Sequence, residues 1–435
     1  MSKSQDPYKE VVYPAEGLEV ADVQHNELPQ VVEQYAYYAP EKEIVQPPPA
    51  RRNPFLHGRR LWILVIVVVL VIVGAVLGGV LGTTLNHGSN NSHAQSATTT
   101  GTPTAAPTGT SKPIGIRQNS PLAVTGWRTG GNFSIRVYFQ NDDNFLSYSA
   151  YESGTGNWTQ ISNFTTAKPG SPLAATNFNH SFYSSDPSDT TYQIEFFYLD
   201  NNNHIVEWNW DNTTVTGRSG SLTENTLTVG SQTRLTTYWP FIIWADPSNN
   251  LQEIVYDCTV PGCWSMAPVN VSASANGGLV IVPQMQNITE MDVFYQREDS
   301  KLIDYSRNTT TGVFATAGTF SGSVPPSANI AVFSTGRNGS ADLNQYILYQ
   351  DTTSTIQVVW QDDSSGWKGP STFAAFKGAD NGTAITCLTP RSWFNIPIDV
   401  SQDMTRCYFQ ASGALREVIN NGTGWNIIGN VPISP

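Results

Sequence analysis

Apolar positions along the 435-residue chain follow three patterns, each of which predicts a different element. Leu61 to Gly82 reads "LWILVIVVVLVIVGAVLGGVLG", apolar throughout and without a charged residue. As a helix rising about 1.5 Å per residue it covers the roughly 30 Å core of a bilayer, so 61–82 is expected to be one transmembrane helix. A signal peptide is the competing reading, but such segments sit at the extreme N-terminus, and residues 1–60 precede this one. Those sixty residues are polar, contain Pro and show no sustained apolar period, which predicts a disordered tail. Residues 83–113 include "NHGSNNSHAQSATTTGTPTAAPTGTSKP", a nearly uncharged Ser/Thr/Pro/Gly run that reads as an O-glycosylated stalk.

From residue 114 to 435 the texture changes to short β-branched and aromatic runs, separated by Asn, Asp, Gly and Ser turns, with no long helical period. The region is predicted to be all-β. One strand type recurs: "IRVYFQ" at Arg136, "IEFFYL" at Glu195, "FIIWAD" at Phe241, "MDVFYQ" at Asp292, "QYILYQ" at Tyr346 and "TRCYFQ" at Arg406. These starts lie about 50 residues apart, near the period of propeller blades. "SPLAVTGW" and "SPLAATNF" precede the first two units, and "GNW", "GCW", "SGW" and "TGW" place Trp158, Trp264, Trp367 and Trp425 after hairpins. Six related units predict a six-bladed β-propeller, a ring that removes exposed sheet edges. A two-sheet sandwich gives no reason for six copies of one hairpin.

Charge sets the orientation of the apolar helix. Arg51, Arg52, Arg59 and Arg60 precede it and no Lys or Arg follows until Lys112, which predicts a cytoplasmic N-terminus. Asn-x-Ser/Thr sequons, running from Asn90 to Asn421, all fall after the helix, as expected of a type II single-pass glycoprotein whose C-terminal domain is extracellular or lumenal. The four cysteines lie on the same side; Cys258 with Cys263 and Cys387 with Cys407 are the preferred disulfide pairs among three connectivities. "CTVPGC" has no matching Cys or His pair and the six histidines are scattered, so neither a metal nor a cofactor is expected. A net charge of −12 excludes nucleic acid as a partner.

The motifs "IRVYFQ", "TRCYFQ…LREV", "SPLAAT" and the hairpin-end "GW" resemble the blade motif of the fungal fucose-specific lectin family, six-bladed β-propellers. In that family an Arg of the repeated strand and a Glu about twelve residues later hold a fucose, while aromatics of the next blade pack on its apolar face. The residue types suit a neutral sugar on physical grounds: Arg supplies a rigid fork of donors, Glu supplies charged acceptors, and rings cover the C–H face. Carried over residue by residue, the resemblance implies an uneven set of sites. Blade 1 has Arg136 with Ser147 at the acid's place; blade 2 has Glu195 and Glu207, two acids expected to repel. Blade 3 sets Phe241 against Glu253, blade 4 Asp292 against Asp304, and blade 5 Tyr346 against Val358. Only blade 6 keeps both members, Arg406 and Glu417, across a turn one residue shorter. If the ring closes, blade 1 supplies Tyr151 and Trp158 to that pair, so the sugar-binding residues implied are Arg406, Glu417, Tyr151, Trp158 and, in part, Arg136.

The reading is therefore a membrane-anchored, fucose-lectin-like domain with few intact sites for fucosylated or other neutral glycans. Two other classes compete with it. A propeller glycosidase needs two carboxylates, which Asp292 and Asp304 superficially offer, but sialidase-like repeats and the G-x-S-x-G and H-E-x-x-H motifs are missing, so no catalytic residue and no enzyme is expected. An adhesion or protein-interaction propeller that has lost sugar binding is the third class.

Overall fold

The structure, a computed structural model, describes residues 115–178, 191–390 and 403–433. The expected tail at 1–60, helix at 61–82 and stalk at 83–113 lie outside the described residues, and among those described no helix is long and apolar enough to cross a membrane. What is described is all-β: six antiparallel four-stranded sheets spanning 122–166, 174–219, 235–272, 279–323, 330–371 and 385–431. Six blades were expected, and six form.

The recurring sequence is the second strand of every blade: Asn132–Gln140, Gln193–Leu199, Phe241–Ala245, Glu290–Gln296, Asn344–Gln350 and Arg406–Ala411. Each packs against a neighbouring blade on both faces, which is why apolar residues run consecutively there instead of alternating. "FFYL" and "ILY" are buried on both sides of the sheet. The first strands line the axis around a narrow channel of about 160 Å³ that touches all six blades. Between second and third strands the polar turns cap themselves: the carboxylates of Asp200, Asp246 and Asp351 accept backbone N–H groups two and four residues on.

Two small motifs explain how blades join. Ser120 Oγ accepts the Gln140 amide and donates to the Pro121 carbonyl, and Ser171 Oγ does the same with Leu199 and Pro172, which gives the "SPLA" hydroxyl its task. The Gln that ends "YFQ" reaches across the next joint. Gln140 Nε2 donates to Lys168 O at 3.0 Å while its Oε1 accepts Gly170 N–H, and Gln350 holds Asp380 and Gly382 in the same way. Gln410 does so between the last blade and the first, accepting Ser120 N–H and donating to Arg117 O, both at 3.0 Å. Every blade is one continuous stretch of chain, so the ring closes through side chains and not through an exchanged strand. Gln410→Leu removes both bonds and is expected to lower unfolding free energy by about 1 kcal/mol per bond. A urea midpoint equal to that of the unaltered protein would contradict this role.

Cys258 with Cys263 and Cys387 with Cys407 are bonded, the pairs preferred from the sequence. The second links the first and second strands of blade 6, where the two cysteines stand directly opposite each other.

Candidate functional site

Closure brings blade 6 against blade 1, and the cleft between them gathers four residues that are far apart in sequence. Arg406 and Glu417 belong to neighbouring strands of blade 6, in which Tyr408 faces Glu417 directly. The shorter turn does no harm: Ser412 and Gly413 form a two-residue connection with φ of 54° and 75°, the left-handed pair that suits strand twist. Arg406 Nη1 meets Glu417 Oε1 at 2.7 Å, with the two side chains 7% and 2% exposed. Arg406 Nε also donates to Asp403 O at 2.9 Å, which fixes the plane of the guanidinium.

Blade 1 completes the cleft. Tyr151 and Trp158 face each other across its outer strand pair, 5.3 Å between ring centroids. The guanidinium of Arg406 lies 4.7 Å from the Tyr151 ring and 5.2 Å from Phe133. Trp158 Nε1 donates to Glu417 Oε2 at 3.2 Å, and Tyr408 Oη donates to Oε1 at 3.1 Å. Burial first, then the adjacent Glu417 carboxylate, push the Tyr408 phenol well above its usual range, so it remains a donor. Tyr408 is part of the site that sequence reasoning missed; its position two residues after Arg406, on the same strand face, would have revealed it.

A carboxylate offers about four acceptor positions. Arg406 and Tyr408 fill those of Oε1 and Trp158 takes one on Oε2, which leaves an acceptor position beside guanidinium donors that neither Glu417 nor Asp403 uses. An acceptor, a donor and half-buried rings thus converge at one rim.

The other clefts show what became of the same positions. In blade 1 Tyr148, not Ser147, stands in register with Glu417: Tyr138 pairs with Tyr148 as Tyr408 pairs with Glu417. Ser147 faces the opposite side, where its hydroxyl donates to Asn163 at 2.5 Å. The expectation for Ser147 is corrected by one residue, and one residue in a strand means the other face. Arg136 points into the cleft between blades 1 and 2, away from Arg406, so the structure does not join it to the other four residues. In blade 2 Glu195 and Glu207 stay together, with Leu222 N–H bound to Glu207 Oε2 at 2.7 Å. In blade 3 the guanidinium comes from the far wall: Arg307 of blade 4 grips Glu253 at 2.5 and 2.8 Å over the ring of Phe241. In blade 4 Asp292 lies beside Asp304 and accepts from Gln345 Nε2 at 2.6 Å.

All four hairpin-end tryptophans pack on the preceding blade. Trp264 binds Ser221, Trp367 meets Phe294, and Trp425 meets Phe333 and Tyr346. Of these four, Trp158 is the one that meets an Arg–Glu pair.

Comparison with known proteins agrees with this fold. The curated fucose-specific lectin of Aleuria aurantia is 24% identical over 347 residues, covering 74% of this chain and 97% of its own, and that of Aspergillus oryzae is 25% identical over 293 residues, covering 60% and 87%. The solved Aleuria aurantia lectin overlays with a TM-score of 0.59 at 21% identity, over 74% of this chain and 99% of that one, a likeness of fold. Both relatives are fucose-specific lectins. Residues 114–239 match the family model described as fungal fucose-specific lectin, which the propeller thus resembles in sequence as well as in fold.

Proposed function

We propose that the cleft between blades 6 and 1 binds a neutral sugar, with a fucoside as the first candidate, and that among the described residues it alone keeps the full neutral-sugar clamp. Glu417 accepts a sugar hydroxyl at its remaining position, Arg406 donates to a second oxygen, and Tyr151 and Trp158 take the C–H face. The carrying observation is the buried Arg406–Glu417 pair, joined across the closure by the indole of Trp158. A mutant of the Aleuria aurantia lectin has been solved in complex with α-methyl-L-fucoside, which sets the choice of first ligand. Charge-assisted hydrogen bonds compensate for the water lost from sugar hydroxyls, and the rings add apolar contact.

The same reading presents the propeller outside a membrane: the helix at 61–82 anchors it, residues 1–60 face the cytoplasm, and the stalk at 83–113 carries it clear of the bilayer. The arginines before the helix and the sequons after it support that orientation. Titration of the full-length protein with methyl α-L-fucoside tests the site. Binding should weaken at least tenfold in Glu417→Gln and in Arg406→Ala, and undiminished binding by both would refute the assignment. Silence of the unaltered protein across neutral glycans would instead favour an adhesion or protein-interaction propeller.

A further inference from the structure

The cleft between blades 1 and 2 carries the opposite electrostatics. Arg136 lies among four rings, 4.9 Å from Tyr148, 5.5 Å from Trp127, 5.6 Å from Tyr192 and 5.9 Å from Trp210. Its Nη2 donates to the Tyr192 hydroxyl at 3.3 Å. Nη1 is buried without a hydrogen-bond partner, and no carboxylate pairs with the guanidinium among the described residues. Trp208, which packs on Phe164 of blade 1 beside Trp210, likewise has a buried indole N–H with no acceptor. Gly217 lets both indoles in: with φ 73° it bears no side chain, and a Cβ there would lie 2.1 Å from Trp208 Nε1.

In cleft 6/1 the acid at this register neutralises the arginine and receives hydroxyl protons; here Tyr148 takes its place. What results is a fixed positive charge with spare donors and no charged acceptor. Neutral sugar hydroxyls need acceptors as well as donors, so such a cleft holds them poorly. A buried cation without a counter-ion is costly, and stacking on rings offsets only part of that cost. A ligand that brings its own negative charge removes the deficit, and a carboxylate fits the planar fork of Arg.

We propose that the cleft between blades 1 and 2 binds a carboxylated monosaccharide, a uronic or sialic acid residue, with its carboxylate on Arg136 and its ring against the half-buried Tyr192 and Trp208. This goes beyond the fucoside reading and does not depend on it, because Arg136 and Arg406 open on opposite faces of blade 1. The test compares methyl β-D-glucuronide with methyl β-D-glucoside by ligand-observed NMR titration, using full-length protein that carries Glu417→Gln so that cleft 6/1 is silenced. The acidic glycoside should bind at least tenfold more tightly than the neutral one. Its advantage should shrink as salt is raised and vanish in Arg136→Gln. Equal affinities, or a preference that survives Arg136→Gln, would overturn the proposal, as would displacement of the glucuronide by equimolar acetate, which would mark a simple anion site. Tyr148→Glu supplies a second arm should Arg136→Gln fail to fold. It keeps the arginine but restores a carboxylate at the register of Glu417, so a glucuronide preference that persisted there would also overturn it.

Discussion

Arg307→Ala is expected to destabilise the propeller by about 3–5 kcal/mol, the scale seen when one partner of a buried ion pair is removed. Arg307 and Glu253 are 5% and 3% exposed in their side chains and share two hydrogen bonds, at 2.5 and 2.8 Å. Phe241 takes the position that Arg406 holds in blade 6, and its ring lies 4.1 Å from the Arg307 guanidinium. Arg307 in turn takes the register of Tyr151: it pairs with Met291 and Phe314 as Tyr151 pairs with Ile135 and Trp158. The clamp has been transposed across the joint between blades 3 and 4, so it now bolts one blade to the next. Alanine would leave the Glu253 charge buried with its strongest partner gone. Chemical denaturation should show the loss, and a double substitution, Arg307→Met with Glu253→Leu, should recover most of it because the cost comes from the charge left alone. A loss under about 1 kcal/mol in the single variant would show the pair to be no more than a surface-type contact.

That transposition marks the boundary of what the sequence could disclose. Blade number was legible because the second strand is buried on both faces, which writes an unbroken apolar run at each repeat. The gathering of side chains at the closure was legible too, since Arg406 and Glu417 sit on one hairpin and Tyr151 and Trp158 occupy the corresponding place one blade on. Arg307 was not, because a search within single hairpins cannot find a guanidinium supplied from 54 positions away. Tyr148 was displaced by its neighbour Ser147 for a different reason: turn length sets register, and the turn of blade 1 is one residue longer than that of blade 6. For Glu195 with Glu207 the sequence suggested repulsion, and Asp292 with Asp304 is a second such pair of acids. Burial resolves it, since a buried acid that keeps its proton stands beside a second one without opposing charge.

From those two pairs a second large effect is expected: the propeller should lose thermal stability as pH rises through the neutral range. Burial, followed by the neighbouring carboxylate, holds Glu195 and Asp292 well above the usual acid range, and burial raises Asp304 to about 6. Unfolding frees each pair from its surroundings and returns its members to pKa values near 4. Above that point the unfolded chain binds fewer protons than the folded one, so unfolding free energy falls with pH. The stabilisation is complete below about pH 4, declines as pH passes the Asp304 value of about 6, and declines further as Glu195 and Asp292 are forced to ionise. Oδ1 of both aspartates and Oε2 of Glu195 are buried without hydrogen-bond donors, so the neutral donors Leu222 N–H and Gln345 Nε2 compensate a second charge on either pair only in part. In the double variant Glu207→Gln with Asp304→Asn, an amide donates to the remaining carboxylate where a shared proton stood, which makes ionisation of that carboxylate tolerable. Melting temperatures at pH 5 and pH 8 decide the matter: the unaltered protein should drop by several degrees more than the variant. Parallel curves would mean that the paired acids titrate alike in the folded and unfolded chains, and the shared protons would then hold nothing together.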